Sequence, residues 1–297
     1  MIYKGKMWLD VKWATRQRLQ YIEIMAWYAG VVTRGDLAKA FGISDAAATK
    51  DLKLYSDLAP GNLVYKHGVF GFVPGEGFAA AFTDLAPAAV LPVIAANLAE
   101  AGGPYGADPI YGLATATLPL PVRLPSQHVL AQITRAMRGA RKLKVRYRSL
   151  SDRETPEYRI IEPHTLVNTG QRWHVRAYNE ETCDFRDFVL SRFSEAQLLD
   201  EPAESNMQYD DDWVEMEQLE LAPHAGLDEQ KRANLLLDYG AEDQVIEISV
   251  RRALIAYVLQ RLNVDTTRDH SLDPNVHQLM LLNRDEIEPF AAWAFNV

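Results

Sequence analysis

Residues 170–193, Gly-Gln-Arg-Trp-His-Val-Arg-Ala-Tyr-Asn-Glu-Glu-Thr-Cys-Asp-Phe-Arg-Asp-Phe-Val-Leu-Ser-Arg-Phe, constrain the fold more than any other stretch of the chain. In Arg172–Tyr178, the side chains of Trp173, Val175 and Ala177 alternate with those of His174, Arg176 and Tyr178, the period of two that marks a strand with two chemically different faces. The apolar set predicts a core face, and the cationic set predicts a floor for a ligand. Leu143–Ser149 repeats the device, with Leu143, Val145 and Tyr147 alternating with Lys144, Arg146 and Arg148, and Arg159–Leu166 continues the sheet. Ser149, His174, Arg176, Tyr178, Arg186 and Arg192 then form the candidate ligand pocket, its arginines suited to bidentate recognition of phosphate or carboxylate. The competing reading is structural: Arg186 and Arg192 pair with Asp187, Asp184 or Glu162.

A chain of 297 residues, 48% hydrophobic and 24% charged, has material for two or three domains. It contains no apolar run approaching the roughly 18 residues that span a bilayer, and Met1–Asp10 mixes lysines with apolar residues, so the expectation is a cytoplasmic protein with no membrane partner. The single cysteine, Cys183, excludes an internal disulfide and any multi-cysteine metal site. Catalysis finds no support: the seven histidines are scattered, and no glycine-rich phosphate loop, His-Glu-x-x-His or Gly-x-Ser-x-Gly occurs. No cofactor or metal is expected, and Asp210-Asp211-Asp212 reads as a solvated charge run.

The net charge of −9 is unevenly distributed. Residues 1–70 hold 10 Lys and Arg against 6 acids, and 123–192 hold 14 against 8, whereas 193–297 hold 7 against 22. Two basic regions beside an acidic one allow one face to meet phosphate while the total stays negative.

The first basic region carries a helix-turn-helix pattern. Residues 15–29 place Leu19, Ile22, Ile24, Met25 and Trp27 at helical spacing, Thr33–Phe41 gives a second helix with Leu37, Ala38 and Phe41 inward, and Gly42-Ile43-Ser44 turns into a third. Ser44 is the expected cap of that third helix. Ala48, Leu52 and Tyr55 fall on its inner face, leaving Ala47, Thr49, Lys50 and Lys53 to meet DNA, with Arg34 nearby. Asn62–Val73 reads as two strands around Lys66-His67-Gly68, a wing. Residues 74–126 are rich in Ala, Pro and Gly with no Lys or Arg until Arg123, and hold one helix over Pro87–Ala101 and an extended, proline-rich connector over Gly102–Pro125. The predicted domains are 1–83, a linker 84–126, 127–204 and 205–297. The last contains strand 247–250, helix 251–262, strand 277–282 and helix 286–295, a unit too small to stand alone without a partner surface.

The segment around Trp173-His174-Val175 resembles the WYL domain, with His174 where that family has tyrosine, and Pro163-His164 falls where its pattern has a proline turn. Residues 223–233, 237–241, 248–262 and 278–287 resemble the C-terminal extension of WYL repressors from bacterial anti-phage defence islands, of the BrxR/CapW type. Asp51-Leu52, Tyr55, Ala59-Pro60 and Asn62–Tyr65 extend the likeness to nearly the whole chain. The resemblance implies an α+β multidomain protein with an N-terminal winged helix-turn-helix, a central Sm-like WYL β-barrel and a C-terminal α/β dimerisation domain. It further implies a homodimeric repressor of a phage-defence operon, bound to double-stranded operator DNA and released by a nucleotide or single-stranded nucleic acid. Two winged helices on one face of B-DNA suit an inverted repeat. An activator or a ligand-independent DNA-bound scaffold remains open on the residues alone.

Overall fold

The computed structural model describes residues 11–101, 120–150, 158–241 and 243–295, together with 111, 113 and 118. The chain divides into two compact units, Met1–Pro119 and Leu120–Val297. Most of the connector predicted over Gly102–Pro125 lies outside the described residues.

In the first unit, helix α1 (Trp13–Ile24) continues as a π-helical turn over Met25–Ala29 and ends at Gly30, whose φ of 76° reverses the chain. Helices α2 (Arg34–Phe41) and α3 (Asp45–Leu58) come next, then strands β1 (Leu63–Lys66) and β2 (Gly71–Pro74) and helix α4 (Pro87–Ala101). Val32 bridges to Phe72 and widens the β1–β2 hairpin. Leu19, Ile22, Leu37, Ala48, Leu52 and Tyr55 form the core, as the helical spacing predicts. Phe41 and Trp27 are instead partly exposed, lying against Tyr21 and Phe78 at the core's rim. Val90 and Ile94 of α4, and Tyr111 beyond it, join the same cluster, so the segment read as a linker supplies part of this core.

A buried carboxylate ties the unit together. Glu23 accepts the backbone N–H groups of Ala81 (2.6 Å), Phe82 (2.9 Å) and Thr83 (2.9 Å) and the Tyr55 hydroxyl (3.0 Å). Burial pushes its pKa up, against four hydrogen bonds that favour the charged form. Asn62 extends the network, donating to the Tyr55 hydroxyl and to the carbonyl of Ala79.

The second unit opens with α5 (Gln127–Gly139), capped by Ser126 and burying Val129, Ile133 and Ala136 at i, i+4, i+7. Strands β3 (Arg141–Tyr147), β4 (Arg159–Asn168), β5 (Trp173–Asn179), β6 (Asp184–Val189) and β7 (Phe193–Pro202) form an antiparallel sheet of order β6-β5-β4-β3-β7. Its apolar face, with Leu143, Val145, Ile161, Val175, Ala177 and Phe188, packs on α5. The expected Sm-like barrel is not closed: β6 and β7 are the sheet's edges, and no ladder joins them among the described residues. Pro163-His164 is also not a turn. It is a bulge within continuous β4, where Pro163 pairs with Ala177, Thr165 pairs with Arg176, and His164 is the extra residue.

Beyond β7 come α6 (Asp211–Val214), β8 (Met216–Pro223), α7 (Glu229–Asp238), β9 (Ile246–Arg251), α8 (Ile255–Arg261), β10 (Leu279–Leu281) and α9 (Arg284–Ile287). Sequence periodicity locates β9 and β10 but not β8, the centre of the β10-β8-β9 sheet, whose Leu219 and Leu221 are fully buried. The two expected helices are shorter than predicted. Arg252–Leu254 is a 3-10 turn before α8, and 3-10 turns over Glu288–Phe290 and Ala292–Ala294 replace the end of the last one, where Pro289 lacks the N–H an α-helix needs. Asp265 is a second buried carboxylate hub, accepting from the Thr267 amide (2.8 Å), the Thr267 hydroxyl (2.6 Å), the Leu272 amide (3.0 Å) and His224 Nε2 (3.1 Å).

Candidate functional site

Two surfaces carry the residues singled out by sequence. In the first unit, Thr33 and Asp36 form a reciprocal capping box that starts α2, and Gly42 with φ 60° ends it. Ser44 then caps α3 through the Ala47 amide (3.3 Å). This tight turn orients α3 so that Ala48, Leu52 and Tyr55 are buried while Thr49, Lys50 and Lys53 are exposed and Ala47 is half-buried. Thr49 also donates to the Asp45 carbonyl (2.8 Å), which fixes its hydroxyl against the helix. Arg34 and Asp45 approach to 3.4 Å, both more than half exposed, so the pair holds Arg34 only weakly. Lys66 and His67 are exposed on the hairpin, and a cleft between it and α2–α3 is lined by Arg34, Thr49, Lys53, Tyr65 and Phe70. Sequence reasoning overlooked Tyr65 and Phe70, whose exposure a period-two pattern does not reveal.

In the second unit, the polar face of β5 is not an open floor. Arg176 is 5% exposed, and its guanidinium grips Asp210 with two parallel hydrogen bonds, Nε to Oδ2 at 2.6 Å and Nη2 to Oδ1 at 2.8 Å. Asp187 (3.5 Å) and Asp212 (3.6 Å) add negative charge around it. Asp210 therefore departs from the solvated run predicted for residues 210–212: it is buried, caps α6, and also accepts from Nε2 of the bulged His164 (3.1 Å). A carboxylate only accepts, so Nε2 carries the His164 proton and Nδ1 faces the Thr165 hydroxyl at 2.8 Å. Burial raises the Asp210 pKa, but the bonds from Arg176 and His164 outweigh it and hold the carboxyl at about 2. Tyr257 of α8 closes the same face, donating to Asp187 (3.1 Å) with its ring 5.1 Å from that of His174.

The six predicted pocket residues thus do not form one pocket. Residues directly opposite in an antiparallel pair share a face. Arg176 faces Asp187, whereas Arg186 lies opposite Ala177, on the other side of the sheet. There Arg186 is exposed and forks onto Asp184 at 2.8 Å, the structural pairing left open by the sequence. Tyr178 is half-buried against Phe185. Ser149, just past β3, and Arg192, in the turn between β6 and β7, come near one another where the Arg148 amide donates to the Arg192 carbonyl (3.0 Å).

His174 remains the unusual group. It is 1% exposed, and its Nδ1 has no hydrogen-bond partner. Burial, then the positive charges of Arg172, Arg192 and Arg123, lower its pKa to about 4. No carboxylate pairs with any of these three arginines among the described residues. Arg172 shares the parity of His174 but precedes the first residue of β5, and Arg123 lies far away in sequence before α5, so the strand's alternation does not bring the two together.

This geometry makes two outcomes testable. Asp210→Ala strands Arg176 in the interior, so urea unfolding should show a loss of about 3–5 kcal/mol, while Arg176→Met combined with Asp210→Leu recovers most of it. A wild-type midpoint for Asp210→Ala would contradict the assignment. His174 has a folded pKa below its ordinary 6.5, so the unfolded chain takes up the proton first. Its contribution to stability is intact above pH 6.5 and is lost at about 1.4 kcal/mol per pH unit as pH falls from 6.5 to 4. Tm should fall more steeply with decreasing pH across this range for the protein than for His174→Phe, and parallel pH dependences would refute the point.

Comparison with known proteins matches residues 14–96 to the BrxR transcriptional regulator winged helix-turn-helix domain, 128–198 to the WYL domain, and 216–287 to the BrxR transcriptional regulator C-terminal dimerization domain. Proteins named DNA-binding transcriptional repressor CapW are similar over nearly the full length. The Pseudomonas aeruginosa protein is 33% identical over 96% of this chain and 94% of its own, and the Escherichia coli (strain KTE188) protein 32% over 96% and 93%. The Stenotrophomonas maltophilia protein is 29% identical over 94% and 92%. With the winged helix, the WYL sheet and the C-terminal α/β unit in that order, the chain belongs to the BrxR/CapW family of WYL-domain transcriptional regulators.

Proposed function

We propose that this protein is a sequence-specific DNA-binding repressor that acts in the cytoplasm as a homodimer on an inverted-repeat operator and controls a phage-defence operon. The observation that carries the reading is the full-length likeness to repressors, joined to an α3 whose inner residues are buried and whose Thr49, Lys50 and Lys53 stand outward. Ser44, Ala47, Arg34, Lys66 and His67 complete the DNA contact surface. Ala47 offers a small side chain for close approach to base edges. The acidic C-terminal region supplies the dimer contact, with α7 burying none of its own residues and leaving Leu237 78% exposed.

The test is fluorescence anisotropy on DNA selected by the protein from a random pool. Two protomers should bind per site, on half-sites about 10–10.5 base pairs apart or a multiple of that. Lys50→Ala should weaken binding and lower the slope of log affinity against log salt by roughly one. Selection of no sequence, or an unchanged affinity and slope in Lys50→Ala, counts against this surface.

The regulating signal is an anion, a nucleotide or single-stranded nucleic acid. Its site is shifted from the one the sequence suggests: Arg172, Arg192 and Arg123 beside His174 bind it, whereas Arg176 and Arg186 are engaged by acids of the chain itself. What supports this is a group of arginines without carboxylate partners around a buried, unpartnered imidazole nitrogen. Such a ligand releases DNA only if it prefers the DNA-free state, and a coupling of about 1–3 kcal/mol is enough. Oligothymidylate and ATP added to the operator complex are the probes. One of them should displace operator from the wild type and fail with Arg172→Ala plus Arg192→Ala, and equal displacement from both would remove these arginines from the site.

A further inference from the structure

The wing carries a residue that its own packing does not explain. Phe70 has φ 50°, in the left-handed region that bulky side chains rarely adopt. It is 80% exposed and makes no ring contact among the described residues. Its neighbour Val69 is half exposed as well. Glycine or asparagine would suit this backbone better, and a polar side chain would suit this exposure better.

Nor is the tip loose. The next residue, Gly71, is buried, and a Cβ there would lie 2.6 Å from Val31 Cγ2. Phe72 then exchanges two backbone hydrogen bonds of 2.9 Å with Val32. Phe70 is therefore presented from a fixed backbone, one residue from a pinned pair. Lys66 and His67 stand exposed on the same hairpin, and Lys66 has no ion-pair partner among the described residues.

We propose that Phe70, backed by Val69, is a wedge that enters the minor groove of the operator and partly unstacks one base step. Lys66 and His67 meet the flanking phosphates. The inference rests on the DNA-binding reading above and adds to it how the site is deformed. The exposed apolar patch of the hairpin, Phe70 with Val69, Tyr65 and Val64, sits beside the cationic Lys66. This pairing suits DNA, where anionic phosphates border flat apolar base faces. A wedge also selects sequence indirectly, because pyrimidine–purine steps unstack at least cost.

The experiment uses full-length protein and the DNA it selects from a random pool, with 2-aminopurine placed at successive steps and fluorophores at the two ends. Wild-type binding should raise 2-aminopurine fluorescence at one step in each half-site and shorten the end-to-end distance. Phe70→Leu should retain both signals. Phe70→Ala should lose both and weaken operator binding about tenfold, with little change on random DNA. Phe70→Asn should lose them too, yet melt at a higher temperature because its side chain accepts the left-handed backbone. Tight wild-type binding with no fluorescence change at any step overturns the wedge, as does wild-type affinity in Phe70→Ala, including the case in which the tip serves a protein partner. If the wild type selects no DNA at all, the DNA-binding reading itself fails and the wedge falls with it.

Discussion

The bidentate pair between Arg176 and Asp210 is the contact on which the second unit depends. Arg176 stands at the centre of β5, beside the edge strand β6 of a five-stranded sheet, and Asp210 caps the short helix that leads into the C-terminal domain. The pair therefore joins the WYL sheet to the C-terminal domain by an interaction that has no partial form. Either both charges are satisfied in the interior or one is stranded there, at a cost of several kcal/mol. His164 of β4 donates to the same carboxylate and Tyr257 of α8 donates to the neighbouring Asp187, so that α6 and α8 close over one face of the sheet.

The same device recurs in simpler form. Glu23 collects three consecutive backbone amides in the first unit, and Asp265 collects two amides, a hydroxyl and an imidazole in the C-terminal domain. Each carboxylate satisfies the polar groups of an irregular segment that would otherwise be buried unpaired. Loops near the N-terminal helices and near the C-terminal sheet are thereby fixed by hydrogen bonds to a carboxylate, and apolar packing does the rest.

What the sequence revealed was governed by periodicity. The inner face of α3, the extent of α4 and the apolar alternation of β3 and β5 are local patterns, and Ala48, Leu52, Tyr55, Leu143, Val145 and Val175 are buried accordingly. Alternation also placed Val175 and Ala177 in the core, but Trp173, grouped with them by the same pattern, is exposed at the start of β5. The pattern could not say what covers the second face, because Asp210 lies 34 residues beyond Arg176 and three acids in a row look solvated. Arg186 was misgrouped for a related reason: its face depends on the register of β6 against β5, which pairs it with Ala177. Strand β8 does carry the alternation, Leu219 and Leu221 alternating with Gln218 and Glu220, but the flanking acidic run masks it. The cationic corner around His174 comes from the β4–β5 turn, the β6–β7 turn and the segment before α5, three places that no single pattern links.

With Arg176 committed to the fold, the proposed ligand is left to groups the fold leaves unpaired, and the proposed DNA contact is left to α3 and the hairpin. The central claim is that the cationic face of β5 is a closed interior junction in the free protein. Amide hydrogen exchange of the ligand-free, DNA-free chain tests it most directly. The account predicts that amides of β5 and of residues 210–214 are protected together and open in one cooperative step. Rapid exchange along 210–214 beside a protected β5 would show an open pocket in which Arg176 awaits a ligand, and would contradict it.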